Sequence, residues 1–173
     1  FKHFNNQIID FNSWLPKNLT DNTKEKLVNY YLNMFKNNNS FHDKVEFKIL
    51  FTCFNADTTD KLREIKRTIL DKKEKQKLKS ELKKITQNSI LKIDDDIKKI
   101  EILKKKQDYV KKSKIYSVDK IYWYIEDCKK YGTEPFAGLA RSGFIAVELL
   151  KSIINKKIIE KDKKDLFFQN IKS

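Results

Sequence analysis

Tyr131-Gly-Thr-Glu-Pro-Phe-Ala-Gly-Leu-Ala-Arg-Ser-Gly-Phe-Ile-Ala146 holds all three glycines of the 173-residue chain, with one of its two prolines and one of its three arginines. The rest of the chain is dominated by Lys, Asn, Ile and Asp, so scarce residue types are concentrated here. Small residues let a backbone approach a neighbour closely, and an arginine among them can hold an anion. The run predicts close packing, with Arg141 as a candidate anion-binding residue.

The same run contains signals for the end of one helix and the start of the next. A helix predicted from Ser117 through Tyr131 is followed by Gly132, and glycine commonly terminates helices at this position. Thr133 can cap the next helix, and Pro135 fits its first turn. The tight-packing stripe predicted for this second helix consists of Phe136, Ala140, Gly143, Val147, Leu150 and Ile154.

Composition favours helices throughout, since charged residues make up 36% of a chain with few glycines and prolines. Helices are predicted at 21–37, capped by Thr20 or Asp21, from Thr58 or Thr59 to about Leu70, and near the C-terminus. Residues 41–54 alternate like a strand but also fit a buried helix, which the helical surroundings favour. The predicted fold class is all-α, an irregular multi-helix bundle.

Residues 72–114 carry 16 lysines against 7 acidic residues, which accounts for +9 of the net charge of +14. A narrow apolar stripe along this stretch predicts a projecting long helix, or a hairpin bent near Gln87-Asn-Ser89. The stripe consists of Leu78, Leu82, Ile85, Ile90, Ile93, Ile97, Ile100 and Leu103. The predicted organisation is one domain, comprising a partly extended segment (1–19), a helical subdomain (20–71), the Lys-rich element (72–114) and C-terminal helices that complete the core (115–173).

The positive charge raises the question of nucleic-acid binding. A phosphate-reading surface usually combines arginines with interleaved aromatic residues, whereas the Lys-rich stretch contains no arginine and one aromatic residue, Tyr109. A solvated helix face is therefore favoured over a nucleic-acid surface. The aromatic group Tyr122-Trp-Tyr124 is expected to lie in the core.

Three residues are candidates for binding an anionic substrate. Arg141 has only small or apolar helical neighbours, so we expect it to be partly buried and to require an acceptor. That acceptor is either a carboxylate of a neighbouring segment or an anionic ligand. His42 and Lys44 could line an anionic site, or belong to a helix start whose charges face water. The Asp94-Asp-Asp96 cluster is interpreted as solvated helix charge.

Catalytic and metal-binding motifs of the GxxxxGK, HExxH and GxSxG types are absent from the sequence. Cys53 and Cys128 lack metal-ligand spacing, which predicts reduced cysteines in a cytoplasmic protein. No stretch has the apolar length of a membrane span, and no signal-peptide pattern precedes the first helix.

Several segments, taken in order, resemble the middle region of phosphoenolpyruvate synthase-like proteins. The resemblance covers nearly the whole chain and is weakest at 72–114. The segments that carry it are Asp10-Phe-Asn-Ser-Trp-Leu-Pro16, Lys26-Leu-Val-Asn-Tyr-Tyr-Leu32, His42-Asp-Lys-Val-Glu-Phe47, Phe51-Thr-Cys53, Asp127-Cys128, Tyr131-Gly-Thr133, Pro135-Phe-Ala137, Leu139-Ala-Arg141, Phe144-Ile-Ala146 and Leu149-Leu-Lys151.

The resemblance implies a piece of a bacterial multidomain phosphotransferase. In that family an upstream ATP-grasp domain binds ATP and Mg²⁺, and a mobile downstream domain carries a phosphohistidine. His42 does not match the phosphohistidine position. In the related rifampicin phosphotransferases the middle helical region holds the acceptor. The chain is therefore expected to be an acceptor-side or linker module, inactive alone and without a cofactor of its own, whose partners are the two flanking domains and a small anionic acceptor. A basic nucleic-acid-binding module and a purely structural spacer are the alternatives.

Overall fold

A computed structural model describes residues 15–37 and 50–170 of the chain. Every regular element in these two ranges is helical, which confirms the predicted all-α fold class. Residues 41–49 of the ambiguous segment lie outside the described ranges, and residues 50–54 are irregular. The α-helices are α1 (Asp21–Lys36), α2 (Thr58–Glu64), α3 (Lys72–Leu91), α4 (Ile93–Lys112), α5 (Ser117–Asp127), α6 (Glu134–Asn155) and α7 (Lys161–Asn170), and a π-helical turn (Cys128–Thr133) joins α5 to α6.

The first helix, α1, begins where the sequence predicts it. The side-chain oxygen of Thr20 accepts a hydrogen bond from the backbone N–H of Thr23 at 3.3 Å, as expected of an N-cap residue. Leu27 and Tyr31 lie one turn apart on α1 and are fully buried. They belong to the core of a first compact unit, which comprises Phe1–Thr86 and Glu148–Ser173. The other members of this core are Leu15, Leu19, Leu50, Leu62, Ile65, Leu70, Leu78 and Leu82.

The second helix is shorter than predicted. Thr58 is its first residue rather than its cap, because the Thr58 hydroxyl is bonded to Asn55 instead, donating to Asn55 Oδ1 at 2.9 Å and accepting from the Asn55 N–H at 2.8 Å. The helix ends at Glu64, since Ile65 adopts an extended backbone with φ −64° and ψ 122°.

The Lys-rich stretch forms two consecutive helices. Leu78 and Leu82 on α3 are fully buried in the core of the first unit, so α3 does not project as predicted. Lys92, between α3 and α4, keeps a right-handed helical backbone. Its N–H donates to the carbonyl of Asn88 at 3.2 Å, and its carbonyl accepts from the N–H of Asp96 at 2.9 Å. The chain therefore makes no hairpin turn at the predicted bend.

A second compact unit comprises Gln87–Val147. In this unit α4 runs antiparallel to α5 and the first part of α6. Lys120 Nζ donates to the carbonyl of Lys111, Lys106 pairs with Asp127, and Lys99 pairs with Glu134. Residues of α4 that lie earlier in the chain thus contact residues that lie later in α5 and α6. The unit is a helical hairpin whose tip lies at residues 113–116.

Gly132 does not terminate a helix, contrary to the prediction. Pro135 has no N–H to donate to the carbonyl of Tyr131, and its ring would crowd that carbonyl in an α-helix. The wider π-helical turn at Cys128–Thr133 accommodates this, and the chain stays helical from α5 into α6. Thr133 therefore lies within the turn and caps nothing. A Cβ added at Gly132 would lie 3.2 Å from Leu103 Cδ2, so this glycine admits the facing helix.

Candidate functional site

A side chain of α4 lies against the backbone of α6 at Gly138, within the glycine-containing run 131–146. A Cβ added at Gly138 would lie 2.1 Å from Oδ2 and 3.1 Å from Cγ of Asp96 on α4. The Asp96 carboxylate therefore lies directly on the backbone of α6. One turn further along α6, Ser142 Oγ lies 3.1 Å from the carbonyl oxygen of Gly138 and 3.2 Å from that of Ser89. These contacts form a polar helix crossing.

The buried position of Asp96 corrects the interpretation of the acidic cluster. Asp94 and Asp95 are exposed, as expected of solvated helix charge, but Asp96 is only 7% exposed. The cluster begins a helix, so its members point in different directions around the axis, and one of them faces the glycine of α6. A side chain larger than hydrogen at position 138 would displace the Asp96 carboxylate.

Gly143 behaves differently from Gly138, although both were expected to allow close packing. A Cβ added at Gly143 would meet no atom within 4 Å, and the residue is exposed. Phe136 lies on the same side of α6 as Gly143 and is 70% exposed, so the predicted packing stripe is not covered there. Hydrophobic spacing along a helix identifies an apolar face but does not determine whether another element covers it.

Alanine at the two glycines is expected to have opposite effects. Gly143→Ala should raise the free energy of unfolding by about 1 kcal/mol, because alanine is the better helix former and the site is open. Gly138→Ala has the same intrinsic gain, but overpacking against Asp96 costs about 1 to 3 kcal/mol, so the variant should be less stable than Gly143→Ala. Urea denaturation followed by circular dichroism measures both.

The control removes the clashing carboxylate. The three atoms nearest to a Cβ at position 138 all belong to Asp96. In an Asp96→Ala background Gly138→Ala should therefore stabilise the protein much as Gly143→Ala does. An identical effect of Gly138→Ala with and without Asp96 would contradict the close approach.

Arg141 is exposed, and the expectation of partial burial is wrong. Its small neighbours do not enclose it, because this edge of α6, which includes Ala137 and Phe144, faces solvent. Among the side chains that the structure describes, no carboxylate lies within salt-bridge distance of its guanidinium. The predicted structural salt bridge is therefore not formed there, which leaves a planar five-donor group directed to solvent.

The other two predicted site residues, His42 and Lys44, lie outside the described residues. Their assignment to an anionic site stays a prediction. The first unit has an open depression of about 420 Å³. It is lined by Lys26, Asn29, Tyr30, Asn33, Asn37 and Ile69, among others, and Lys26 is paired with Glu74 at 2.7 Å.

The helix α4 turns a polar face toward its partners in the hairpin. Lys99 Nζ lies 3.3 Å from Glu134 Oε1, and Lys106 Nζ lies 3.2 Å from Asp127 Oδ1 and 5.2 Å from the ring centre of Tyr131. The residues of α4 that are buried or half-buried on this face follow the spacing 3-4-3-4 and are Asp96, Lys99, Leu103, Lys106 and Val110. The isoleucines of α4 lie mostly away from this face, and Ile97, Ile100 and Ile102 are exposed.

The helix α5 directs its apolar face away from α4 and toward solvent. Its polar residues Lys120 and Asp127 face α4, whereas its apolar stripe at spacing i, i+3, i+4 and i+7 faces solvent. Each member of this stripe is at least half exposed, and we call Val118, Ile121, Tyr122 and Ile125 the outward stripe. Tyr122 packs edge-on against Trp123, which is itself 49% exposed. The prediction that these aromatic residues lie in the core is wrong.

The tip of the hairpin combines exposed aromatic residues with lysines. Tyr109 and Tyr116 are among the most exposed hydrophobic residues of the described chain. Five lysines of the surrounding segment are also exposed, namely Lys104, Lys105, Lys111, Lys112 and Lys114. The tip thus adds the exposed Tyr116 to Tyr109, the one aromatic residue of the Lys-rich stretch.

The two cysteines lie in different surroundings. Cys53 is buried, and burial raises the pKa of its thiol above the ordinary value, whereas Cys128 is exposed. Among the described residues no group of three or more His, Cys, Asp or Glu side chains could hold a metal ion. A membrane-spanning helix needs about 20 mostly apolar residues, and none of the helices in residues 15–37 and 50–170 meets this requirement.

The sequence indicates Arg141 on α6 but does not indicate Asp96, which lies against the same helix at Gly138. Asp96 is adjacent to two exposed aspartates, and its only sequence signal is its place at the start of the 3-4-3-4 face of α4. That signal is weak because the face contains two lysines.

Comparisons with protein-family models, with curated proteins and with solved structures found no match to the chain.

Proposed function

We propose that the chain is the central helical module, on the acceptor side or as a linker, of a bacterial phosphoenolpyruvate synthase-like, ATP-dependent phosphotransferase. The observation that carries the proposal is the exposed guanidinium of Arg141, which has no carboxylate partner among the side chains that the structure describes. It lies in Leu139-Ala-Arg141, one of the segments that resemble the family. A guanidinium can donate two parallel hydrogen bonds to a phosphate or carboxylate, so it suits a small anionic acceptor.

Phosphoryl transfer depends on positioning and on positive groups around the transferring oxygens. In this proposal ATP and Mg²⁺ belong to an upstream ATP-grasp domain, and the phosphohistidine belongs to a downstream domain. The part assigned to this chain is narrower: Arg141 orients the acceptor by holding its anionic group. The module does not transfer phosphate by itself.

The outward stripe supports a module that packs against another protein body. A helix normally buries its apolar face against another element, and large exposed apolar patches commonly mark interaction sites. Here the stripe of α5 and the exposed isoleucines of α4 are both uncovered in the second unit. Neighbouring domains of the same polypeptide would cover such surfaces in the proposed enzyme, which is expected to be cytoplasmic.

The nucleic-acid alternative is favoured by one observation, the exposed Tyr109 and Tyr116 among the lysines of the hairpin tip. Single-stranded nucleic acids bind such surfaces by stacking and charge. The tip contains no arginine and includes exposed Ile115 and Val118, whose aliphatic side chains offer no stacking plane. These features make an RNA or DNA partner the second choice.

Calorimetric titration of the chain with phosphoenolpyruvate, pyruvate and inorganic phosphate tests the proposal. We expect saturable binding of the phosphate-bearing ligands, weakened about tenfold or more in Arg141→Gln, because a charge-assisted hydrogen bond contributes about 1.5 to 3 kcal/mol. The matched control is Arg67→Gln, which removes the same charge from an exposed position of the first unit.

Three outcomes would contradict the proposal. If wild-type chain binds none of the three ligands, the spacer alternative is favoured. If Arg67→Gln weakens binding as much as Arg141→Gln does, the ligands respond only to total charge. If a labelled single-stranded oligonucleotide binds tightly at about 50 mM salt with a steep salt dependence, the nucleic-acid alternative is favoured.

A further inference from the structure

The side of α5 and α6 that is turned away from α4 forms one long apolar face. On α5 the contacts with α4 are made by Lys120 and Asp127, and the outward stripe lies on the opposite side. On α6 the neighbouring helices are met by Gly138 and Ser142, and the opposite side presents Phe136, Ala140, Gly143 and Val147. The chain stays helical between the two helices, so these surfaces are continuous. We call the outward stripe together with these four residues of α6 the outer face.

The outer face supplies the apolar area that a stable dimer needs. Its six large side chains, which range from valine to tyrosine, are between 38% and 76% exposed. On a scale of about 150 to 250 Å² for a large side chain, they present roughly 600 Å² of surface. A homodimer interface of standard size buries about 800 Å² per partner, of which about 65%, or roughly 500 Å², is apolar.

Charge on the outer face favours an uncharged partner surface. Lys129, between its two halves, is paired with Glu126 at 2.7 Å, and the residues that define the face carry no charge. A nucleic acid or an anionic lipid surface gains its affinity from accessible cations. An equally apolar helix face is the better match, and it also avoids the repulsion that a net charge of +14 creates elsewhere between two copies.

The outer face is complementary to itself under two-fold symmetry. It runs from Val118 to Val147, so a two-fold axis at its midpoint passes near Gly132. Antiparallel pairing about this axis uses the whole face and sets large residues opposite small ones, because it opposes Tyr122 with Gly143, Ile125 with Ala140, and Val118 with Val147. A Cβ added at Gly143 would meet no atom of the described chain within 4 Å, so there is room for a large side chain at this position.

We propose that the outer face binds the outer face of a second copy of this chain, as an antiparallel helix pair with two-fold symmetry. Small residues at the crossing let the helix axes approach to about 8 Å, and the same patch serves both partners. The exposed isoleucines of α4 are left for the flanking domains of the proposed enzyme. The dimer uses neither Arg141 nor a ligand, so it does not rest on the proposed function.

Sedimentation equilibrium of the whole chain measures the association. We expect twice the mass of the chain and a dissociation constant in the micromolar range or tighter, as for interfaces of this size. Binding should persist when salt is raised from about 50 to 500 mM, because the contact is apolar and screening reduces the repulsion between lysines. A chain that stays monomeric up to about 200 μM, whether or not it binds another partner, would overturn the proposal.

One charged substitution identifies the surface that is used. Phe136→Glu should raise the dissociation constant of the dimer by about tenfold or more, because it places a carboxylate inside an apolar contact. Ile158→Glu is the control, since Ile158 of the first unit is also 70% exposed, and it should stay within about twofold of the wild type. A dimer that Phe136→Glu leaves intact, or that both variants weaken equally, would place the contact elsewhere and overturn the proposal.

The antiparallel pairing is tested by exchanging a large and a small residue. Gly143→Leu should weaken the dimer about tenfold, because the added side chain meets Tyr122 of the second copy. Adding Tyr122→Ala should restore the dissociation constant to within about threefold of the wild type, and circular dichroism of the dilute variants confirms that each is helical. Failure of the second change to restore a dimer that the first has weakened would overturn this pairing.

These measurements also separate the dimer from the proposed function. A monomeric chain that binds phosphate through Arg141 would overturn the dimer and support the proposed function. A dimer that depends on Phe136 but binds no phosphate-bearing ligand would support the dimer and contradict the proposed function.

Discussion

Leu82→Ala is expected to lower the free energy of unfolding by about 3 kcal/mol, within the range measured for buried leucines. Leu82 is fully buried on α3 and belongs to the cluster that includes Leu27 and Tyr31 of α1. Truncation removes apolar contacts and leaves a cavity that closely packed helices fill only in part. Urea denaturation measures the loss, which should appear as a lower midpoint.

Ile97→Ala is the matched control. Ile97 belongs to the same apolar stripe in the sequence, but it lies on α4 and is 44% exposed. Its truncation removes side-chain surface that is already partly hydrated, so the expected loss is below about 1 kcal/mol. Similar losses for the two variants would show that the stripe of α4 is covered and that the second unit is packed differently.

The contrast between these residues shows what the sequence can predict. The spacing of apolar residues and the caps correctly predict helices at 21–37 and across the Lys-rich stretch, because helix formation depends on local chemistry. Whether an apolar face is covered depends on which element packs there. Leu78 and Ile97 belong to the same apolar stripe of the Lys-rich stretch, yet one is fully buried and the other is 44% exposed.

The outward stripe has the same explanation. The sequence indicates that Tyr122 and Ile125 share an apolar face of α5, and sequence reasoning assigned that face to the core. In the structure the opposite face is used, because Asp127 and Lys120 make polar contacts with α4. Polar pairing between helices is set by long-range partners that a single sequence does not identify.

The candidate site was predictable only in part. The scarcity of arginine drew attention to Arg141, and the clustered glycines indicated a close approach nearby. Composition could not distinguish Gly138, which meets a carboxylate, from Gly143, which meets open space. Nor could it separate Asp96 from two solvated neighbours, since that difference arises from the direction in which each side chain leaves the helix.

Glu81→Gln is expected to make stability much less dependent on pH in acid. The Glu81 carboxylate is almost fully buried, lies 2.9 Å from Lys84 Nζ and 3.2 Å from Lys77 Nζ, and accepts a hydrogen bond from Asn18 at 3.0 Å. The Lys84 contact, followed by the Asn18 bond, lowers the pKa of Glu81 from 4.5 to about 2. The folded protein therefore favours the ionised form.

The sign of the pH dependence follows from this lowered pKa. The stabilisation by Glu81 is complete above pH 4.5, where the carboxyl group is ionised even in the unfolded chain, and is lost as pH falls toward 2. At pH 7 Glu81→Gln should cost about 1 to 3 kcal/mol, because two lysines and Asn18 lose a charged acceptor. Near pH 2 the two proteins should have nearly equal stability.

Urea denaturation at several pH values between 2 and 7 measures the difference between wild type and Glu81→Gln. Glu25→Gln is the control, since it removes an exposed carboxylate from α1 of the same unit and should change stability by less than about 0.5 kcal/mol at pH 7. A stability difference between wild type and Glu81→Gln that stays constant down to pH 2 would show that Glu81 acts through packing and not through its charge. A difference that narrows below pH 4.5 would show that the ionised carboxylate of Glu81, which also joins α3 to the segment before α1 through Asn18, stabilises the fold.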